Sequence, residues 1–243
     1  MKKYLFLFLF LLSVPVLADT PVTVDTSKLE KLARGLEVGK PVKTPVDGLY
    51  QVRIGNQYAY ISESGDYAFI GNLFDLKQGI DLTKQAQAGV ARQKLAAFPE
   101  DDMIIFPAEG KEIGEITVFS DTSCPYCRKL HQEIPVIQKS GISVRYIPFP
   151  RGKEKGKGYA QMLSVWCAED RQKAMNIANG VIDADLEEKS CDSEKIINAG
   201  YELGLAAGVN GTPSVFLTDG THIGGYLPAN NIVKQVKKLS AKN

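Results

Sequence analysis

Two cysteines separated by two residues, Cys124 and Cys127, lie between an apolar run and a helical stretch. The run from Glu115 to Ser120 has the composition of a β-strand and leads directly into the pair, and a helical pattern continues from Arg128. Two thiols held at the junction of a strand and a helix constrain the fold strongly. The pair therefore marks the centre of an α/β domain.

The elements that follow the pair continue the α/β order. They are a helix ending at Lys139 with a kink at Pro135, a strand over 142–149, helical stretches over 159–178 and 193–207, a hairpin over 213–223 and a closing helix over 230–239. This order matches a thioredoxin-type domain with extra helices inserted in the middle.

The part of the chain that precedes this domain has a different sequence pattern. A short capped helix is predicted over 25–36, with Leu29, Leu32 and Leu36 on one face, and alternating runs between 49 and 70 predict an antiparallel meander. About sixty residues make a marginal core, so such a unit often needs a partner. The stretch 81–98 is helical and either connects two domains or packs on the second as an ordinary helix.

The first eighteen residues have the pattern of an export signal. Two lysines precede the apolar run from Tyr4 to Leu12, and Val16-Leu17-Ala18 offers small residues for a signal peptidase. A membrane anchor is the alternative, but a span needs about twenty apolar residues. We therefore expect cleavage after Ala18 and export of a soluble chain.

Charge and length narrow the possible functions. Without the two signal lysines, 27 basic residues remain against 28 acidic ones, so nothing in the charge balance favours binding to nucleic acid. The mature length favours two domains. We divide the chain into a signal over 1–18, an N-terminal domain over 19–80, a linker helix over 81–98 and a catalytic domain over 99–243.

Thiol–disulfide exchange explains the spacing of the cysteine pair. It requires a thiolate that attacks a disulfide and a second thiol that resolves the mixed disulfide. Cys124 would begin the helix, where unpaired N–H groups and the helix dipole lower a thiol pKa. Cys127 lies one turn further in and should act second. Pro125 suits the first helical turn, where a missing N–H costs nothing.

Two other uses of the pair are less favoured. Zinc would need further ligands, but Cys167 and Cys191 are isolated in sequence, and His131 and His222 lack ligand spacing. A purely structural bridge across so short a loop would constrain little of the unfolded chain. We expect redox chemistry that uses two thiols, with no metal and no cofactor.

Thr212 and Pro213 supply a second half of the site. The dipeptide could be an ordinary strand-edge feature. Its place in the element order favours a cis proline that holds the Thr212 backbone beside Cys124, where it could pair with an extended substrate segment.

The combined motifs resemble the DsbC and DsbG family of dimeric periplasmic disulfide isomerases. The resemblance covers the mature chain, and its most specific segments surround the cysteines, the threonine–proline pair and a final glycine pair: Thr117-Val118-Phe119-Ser120-Asp121, Cys124-Pro125-Tyr126-Cys127, Val165-Trp166-Cys167-Ala168, Ser190-Cys191-Asp192, Gly208-Val209-Asn210-Gly211-Thr212-Pro213 and Gly224-Gly225-Tyr226.

The resemblance implies an α+β, cystatin-like N-terminal dimerisation domain, joined by a helix to an α/β thioredoxin-like domain with a helical insertion. It further implies a V-shaped homodimer whose cleft holds misfolded, disulfide-containing exported proteins. Cys124 would be the nucleophile, Cys127 the resolving thiol and Pro213 the cis proline after Thr212.

The other two cysteines also acquire a role from the resemblance. Cys167 and Cys191 match a structural disulfide of the DsbC branch, which would stabilise the inserted helices by roughly 3 kcal/mol. An isomerase must also be kept reduced, so the family implies a membrane reductase of the DsbD type as a partner.

Pro125 departs from the family pattern, which has glycine at this position. Cys-Pro-Tyr-Cys is also the glutaredoxin motif, although the signal peptide and the extra domain argue against that class. The dipeptide tunes thiolate stability. An isomerase, a dithiol oxidase and a chaperone with secondary redox activity therefore all stay open.

Three smaller features have simpler interpretations. We expect the basic, glycine-rich segment 151–158 to be a solvated connection, because it lacks the spacing of a phosphate-binding loop. Asp121 should cap the turn before Cys124 rather than act on its proton. His131 is predicted to face solvent.

Overall fold

The computed structural model describes residues 23–189 and 191–241 of the 243-residue chain. The predicted signal peptide and its cleavage site lie outside the described residues.

A four-stranded antiparallel sheet forms the N-terminal unit, in the order β1-β2-β3-β4. Alternation along β2 sends Tyr50, Val52 and Ile54 into a small core with Leu29. The strands are β1 (Val42–Lys43), β2 (Leu49–Ile54), β3 (Gln57–Ser62) and β4 (Ala68–Ile70).

The helix that covers this sheet, α1 (Ser27–Leu32), is shorter than predicted. Only Leu29 is buried, whereas Leu32 and Leu36 are exposed. Arg34 and Gly35 adopt positive φ and end the helix, so Leu36 lies outside it. The predicted face of three leucines is wrong, because Leu36 lies beyond the helix and Leu32, its last residue, is exposed.

A long helix, α2 (Leu82–Ala96), follows a two-stranded ribbon formed by β5 (Phe74–Asp75) and β6 (Ile80–Asp81). The Asp81 carboxylate caps the helix by accepting a hydrogen bond from Lys84 N at 3.0 Å. Ala91 is buried against Phe98 and Met103 in the core of the second sheet. The helix therefore connects the two sheets and also packs on the second.

The second sheet has five strands in the order β11-β10-β8-β9-β7. Only the pair β8 and β9 is parallel. The edge strand β7 was not predicted from the sequence. The bounds are β7 (Ile104–Phe106), β8 (Gly114–Ser120), β9 (Ile142–Pro148), β10 (Ser214–Leu217) and β11 (His222–Gly224).

Helices cover both faces of this sheet. The predicted kink at Pro135 is a break at Glu133 between α3 and α4, and the predicted helix over 159–178 divides in two, with Asp170 capping the second part. The helices are α3 (Pro125–Gln132), α4 (Ile134–Lys139), α5 (Tyr159–Cys167), α6 (Arg171–Ala178), α7 (Glu194–Ala206) and α8 (Ala229–Ser240).

Alternation along β8 separates two cores. Ile116 and Val118 pack under α3, α4 and α8 in the larger core. Phe119 points to the opposite face and packs with Ile147 and Phe216 beside α2 and α7. Strand β8 is thus buried on both sides, and its carboxyl end delivers the chain to the cysteine pair.

The helices of residues 23–189 and 191–241 include none that is both long enough and apolar enough to cross a bilayer.

Candidate active site

Cys124 and Cys127 lie at the start of α3. Cys124 is the extended residue that precedes the helix, Pro125 begins it, and Cys127 lies in its first turn. Both residues are free thiols, and each is only 2% exposed. The site is therefore a dithiol at a helix N-terminus.

Thr212 meets Cys124 from the other side. The Cys124 sulfur lies 3.2 Å from the Thr212 carbonyl oxygen, to which it donates a hydrogen bond when protonated, although 88 positions separate the two residues. The peptide bond between Thr212 and Pro213 is cis, and β10 begins at the next residue. The Thr212 hydroxyl oxygen is buried and has no hydrogen-bond partner within the described residues.

The two thiols have opposite acidities. Hydrogen bonding from Cys127 is the largest cause that lowers the pKa of Cys124 to about 5, against the opposing effect of burial. The Thr212 side chain and backbone N–H groups of the first turn lower this pKa further. Burial raises the pKa of Cys127, and the hydrogen bond it gives to Cys124 raises it further. At neutral pH Cys124 is the thiolate and Cys127 is the protonated thiol.

Asp121 supports the loop before the pair. One carboxylate oxygen accepts hydrogen bonds from Ser123 N at 2.8 Å and Ser123 Oγ at 2.7 Å. The other accepts from Arg151 N at 2.9 Å and pairs with Arg151 Nε at 3.2 Å. Because both oxygens already have partners, these contacts fit the capping role predicted for Asp121.

The basic segment 151–158 makes specific contacts with the protein. Arg151 binds the buried Asp121, and Lys153 pairs with Glu202 at 2.5 Å. Gly158 lies so close to Asp121 that a Cβ atom would come within 2.2 Å of its carboxylate. The segment is therefore anchored beside the dithiol instead of being only a solvated connection.

His131 is buried, so its predicted exposure is wrong. Its Nδ1 lies 2.9 Å from the Tyr146 hydroxyl, and its Nε2 lies 2.9 Å from Asn176 Oδ1. Burial lowers the pKa of His131 to about 4, so the ring is neutral at pH 7. Spacing could have revealed this position, because His131 follows the buried Cys127 by four residues and shares its helix face.

An aromatic rim beside the dithiol was missed from the sequence. Tyr126 is 60% exposed, and its ring centroid lies 6.0 Å from that of Tyr226. Tyr226 is held by a 2.5 Å hydrogen bond to Glu133 Oε1 and by Lys129 over its ring. No local pattern could have identified the bond from Tyr226 to Glu133, because 93 positions separate these residues.

A disulfide joins Cys167 to Cys191, with a Cα–Cα distance of 5.7 Å. Cys167 ends α5, and Cys191 lies three residues before α7 begins. The bond therefore closes the helical insertion, well separated in sequence from the dithiol.

Metal ligands do not cluster in the part of the chain that the structure describes. Residues 23–189 and 191–241 contain no group of three or more histidine, cysteine, aspartate or glutamate side chains able to hold an ion.

A strand, a dithiol at a helix start and a facing cis proline, set in a thioredoxin-like sheet, define a thiol–disulfide oxidoreductase. Models of two families match the chain: "Thioredoxin-like domain" over residues 99–240, and "Disulfide bond isomerase protein N-terminal domain" over residues 18–84. The chain belongs to the DsbC family of disulfide isomerases.

Two relatives illustrate the family match. The thiol:disulfide interchange protein DsbC of Pasteurella multocida is 34% identical over 97% of this chain and 99% of its own length. The DsbC of Dickeya dadantii is 33% identical over 96% of this chain and 94% of its own length. Both alignments span the two sheets and the helix between them.

A solved structure shares part of the fold. The crystal structure of a disulfide interchange protein from Neisseria gonorrhoeae superposes with a TM-score of 0.50 at 23% identity, over 58% of this chain and 96% of the other. At this identity the likeness concerns the fold alone.

Proposed function

We propose that this protein is a periplasmic disulfide isomerase and reductase that rearranges wrong disulfides in exported proteins. The observation that carries the proposal is a free dithiol at the start of α3 that faces the cis proline, in a chain of the DsbC family. Cys124, with a pKa near 5, is a ready nucleophile, whereas the buried Cys127 keeps its proton until it is needed.

The reaction begins when the Cys124 thiolate attacks a substrate disulfide. A bond forms between Cys124 and one substrate sulfur, and the other substrate sulfur leaves as a thiolate. That thiolate can attack another disulfide of the same substrate and finally release Cys124, which is isomerisation. Alternatively, Cys127 attacks Cys124, and the substrate leaves reduced.

Thr212 and Pro213 are proposed to hold the substrate. The Thr212 carbonyl lies against the Cys124 sulfur, so the adjoining backbone is close to any segment joined to that sulfur. An extended peptide could pair there as an added strand.

The N-terminal domain, proposed to span 19–80, is assigned to homodimerisation. Strand β4 lies at the edge of its sheet and carries exposed apolar side chains on and beside it, namely Tyr67, Phe69 and Ile70. Edge strands of this kind pair readily with another chain. The remaining proposed parts are a signal over 1–18 cleaved after Ala18, a linker helix over 81–98 and a catalytic domain over 99–243.

Reducing equivalents are proposed to come from a membrane reductase of the DsbD type. An isomerase cycle starts from the dithiol, so each oxidation of Cys124 and Cys127 must be reversed. The low pKa of Cys124 stabilises the reduced pair and therefore helps to keep it in that state.

The first test compares Cys124→Ala and Cys127→Ala in refolding of scrambled ribonuclease. Cys124→Ala should abolish refolding, whereas Cys127→Ala should still attack and should accumulate mixed disulfides. Aggregation assays on the same proteins test the proposed chaperone activity, which Cys124→Ala should retain. Unchanged refolding by Cys124→Ala would refute the catalytic role of this thiol.

A dithiol oxidase is the second candidate, because a stabilised thiolate also makes the disulfide form a stronger oxidant. Alkylation in cells followed by electrophoresis distinguishes the two. A mostly reduced pair supports the isomerase, and a mostly oxidised pair supports the oxidase.

A further inference from the structure

Strand β8 carries one polar residue on an otherwise apolar face. Ile116 and Val118 point into the larger core beneath α3, and alternation places Ser120 next in the same row. Ser120 is 1% exposed. A hydroxyl therefore replaces a hydrocarbon side chain at the end of β8, four residues before Cys124.

The Ser120 hydroxyl has no hydrogen-bond partner within the described residues. Its backbone carbonyl, in contrast, accepts from Phe149 N at 2.8 Å, so the strand itself is well ordered. An unpaired buried hydroxyl destabilises the fold, and a role in another state of the protein would explain why it is kept.

Cys127 lies in the first turn of α3, which packs on this face of β8, and like Ser120 it is buried. The Ser120 side chain and the Asp121 backbone both lower the pKa of the Cys127 thiol, against the larger opposing effect of burial. Arg151 and Tyr146 also interact electrostatically with Cys127, but Arg151 already pairs with Asp121, and Tyr146 contacts His131. The Ser120 hydroxyl has no such competing contact among the described residues and remains free to respond.

We propose that Ser120 positions and activates the resolving thiol: its hydroxyl donates a hydrogen bond to the Cys127 sulfur as that sulfur becomes a thiolate. This inference rests on the proposed function. The Ser120 hydroxyl would stabilise a Cys127 thiolate, as the N–H groups at the start of α3 stabilise the Cys124 thiolate. Cys127 lies deeper in the helix and is stabilised less by those N–H groups.

The step concerned is resolution of the mixed disulfide. Cys127 loses its proton, its sulfur forms a bond to the Cys124 sulfur, and the bond between Cys124 and the substrate breaks. The substrate sulfur leaves with the electron pair and takes up a proton. Negative charge on Cys127 exists only during this step, which is why Ser120 lacks a partner in the resting dithiol.

The test uses the full mature protein and a chromogenic aromatic disulfide that releases one coloured thiolate in each step. Wild type should show a fast phase from Cys124 and a second phase from Cys127. Ser120→Ala should leave the first phase within about twofold and slow the second about tenfold or more, since a hydrogen bond to a charged group is lost. The pH midpoint of the second phase should rise by about one unit or more.

Two matched variants control for general loosening of the loop. Ser120→Thr keeps the hydroxyl and should restore the second phase. Thr122→Val removes another buried hydroxyl without a partner, located beyond the end of β8, and should leave both phases unchanged. Circular dichroism confirms that each variant is folded.

Three outcomes would overturn the inference or its basis. If Ser120→Ala keeps the wild-type second phase and pH midpoint, the role of Ser120 is refuted and the proposed function stands. If Thr122→Val slows the second phase equally, the effect is one of packing and the role of Ser120 is again refuted. If wild type shows no phase that depends on Cys124, the proposed function itself fails.

Discussion

Cys124 is a thiolate at neutral pH because its folded pKa lies near 5, well below the free-thiol value of 9.0. Its negative charge stabilises the reduced folded protein. That contribution is fully present above the free-thiol pKa and is lost as the pH falls through about 5. The same titration governs its reactivity.

We therefore predict that alkylation of Cys124 by iodoacetamide is nearly constant from pH 6 to pH 8 and falls with a midpoint of about 5. Cys127→Ala should move the midpoint upward, because hydrogen bonding from Cys127 is the largest cause of the low pKa. Mass spectrometry of timed samples measures both rates. A midpoint of 8 or above in wild type would contradict the thiol asymmetry.

His131 gives a second pH dependence, this time of stability. Its pKa falls from 6.5 in the unfolded chain to about 4 in the fold because of burial. The unfolded chain thus binds a proton that the folded protein rejects, and stability decreases as the pH falls from 6.5 to 4.

We expect this effect to reach about 3 kcal/mol in the oxidised protein, where neither Cys124 nor Cys127 titrates. Urea unfolding at pH 6.5 and pH 4 measures it for wild type and for His131→Gln, which cannot take up the proton. The variant should lose less stability between the two pH values by about that amount. Equal losses in the two proteins would show that His131 is accessible to protons in the fold.

The surroundings of a single residue can be predicted from the sequence where its contacts are with neighbours along the chain. The strand, the dithiol and Pro125 follow one another in sequence, so their local geometry could be anticipated. Arg151 and Asp121 are 30 positions apart, and only the register of β9 beside β8 brings them together. The buried network of Asn176 and His131 depends in the same way on how α6 packs.

Among the elements, the helical insertion depends most on a covalent bond. Cys167 and Cys191 close a loop that includes α6. The residues of segment 181–189, which lies within this loop, are largely exposed. Closing such a loop removes conformational freedom from the unfolded chain.

Replacing both cysteines by alanine should therefore lower the free energy of unfolding by about 3 kcal/mol. The rate at which Cys124 reacts with a small disulfide should stay within about twofold, because α3 and β8 do not include the bond. Chemical denaturation and stopped-flow absorbance measure the two quantities. A loss below about 1 kcal/mol would show that helix packing alone holds the insertion.

Element boundaries were less predictable than element types. The meander over β2, β3 and β4 was expected, because alternation and glycine turns define it locally. Strand β7 was missed, since three residues carry too little pattern and its pairing with β9 is set by tertiary packing. Asp170 caps the start of α6 and so separates it from α5. Aspartate is a common capping residue, but the helical composition on both sides of Asp170 led us to predict one continuous helix.

At the scale of the whole molecule, the strongest prediction concerns strand β4 at the edge of the first sheet, the proposed dimer interface. Ile70→Asp would place charges at the proposed dimer interface, where both copies of the residue would be desolvated. We expect the dimer to weaken at least about a hundredfold, as measured by light scattering over a concentration series.

Val136→Asp is the matched control, because Val136 is similarly exposed but lies on α4 of the second domain. It should remain dimeric. Each Ile70→Asp subunit should still react with a small disulfide, whereas refolding of scrambled ribonuclease should decline. A fully dimeric Ile70→Asp protein would exclude β4 as the interface.

The open edge at β4 also bears on how long a subunit survives. Tyr67, Phe69 and Ile70 form an apolar stretch of a kind that proteases and quality-control factors recognise once it is accessible. In the proposed dimer that stretch is shielded, so newly folded subunits are vulnerable until they find a partner. Turnover would then be faster at low abundance, and the amount of working enzyme would rise more steeply than the rate of its synthesis.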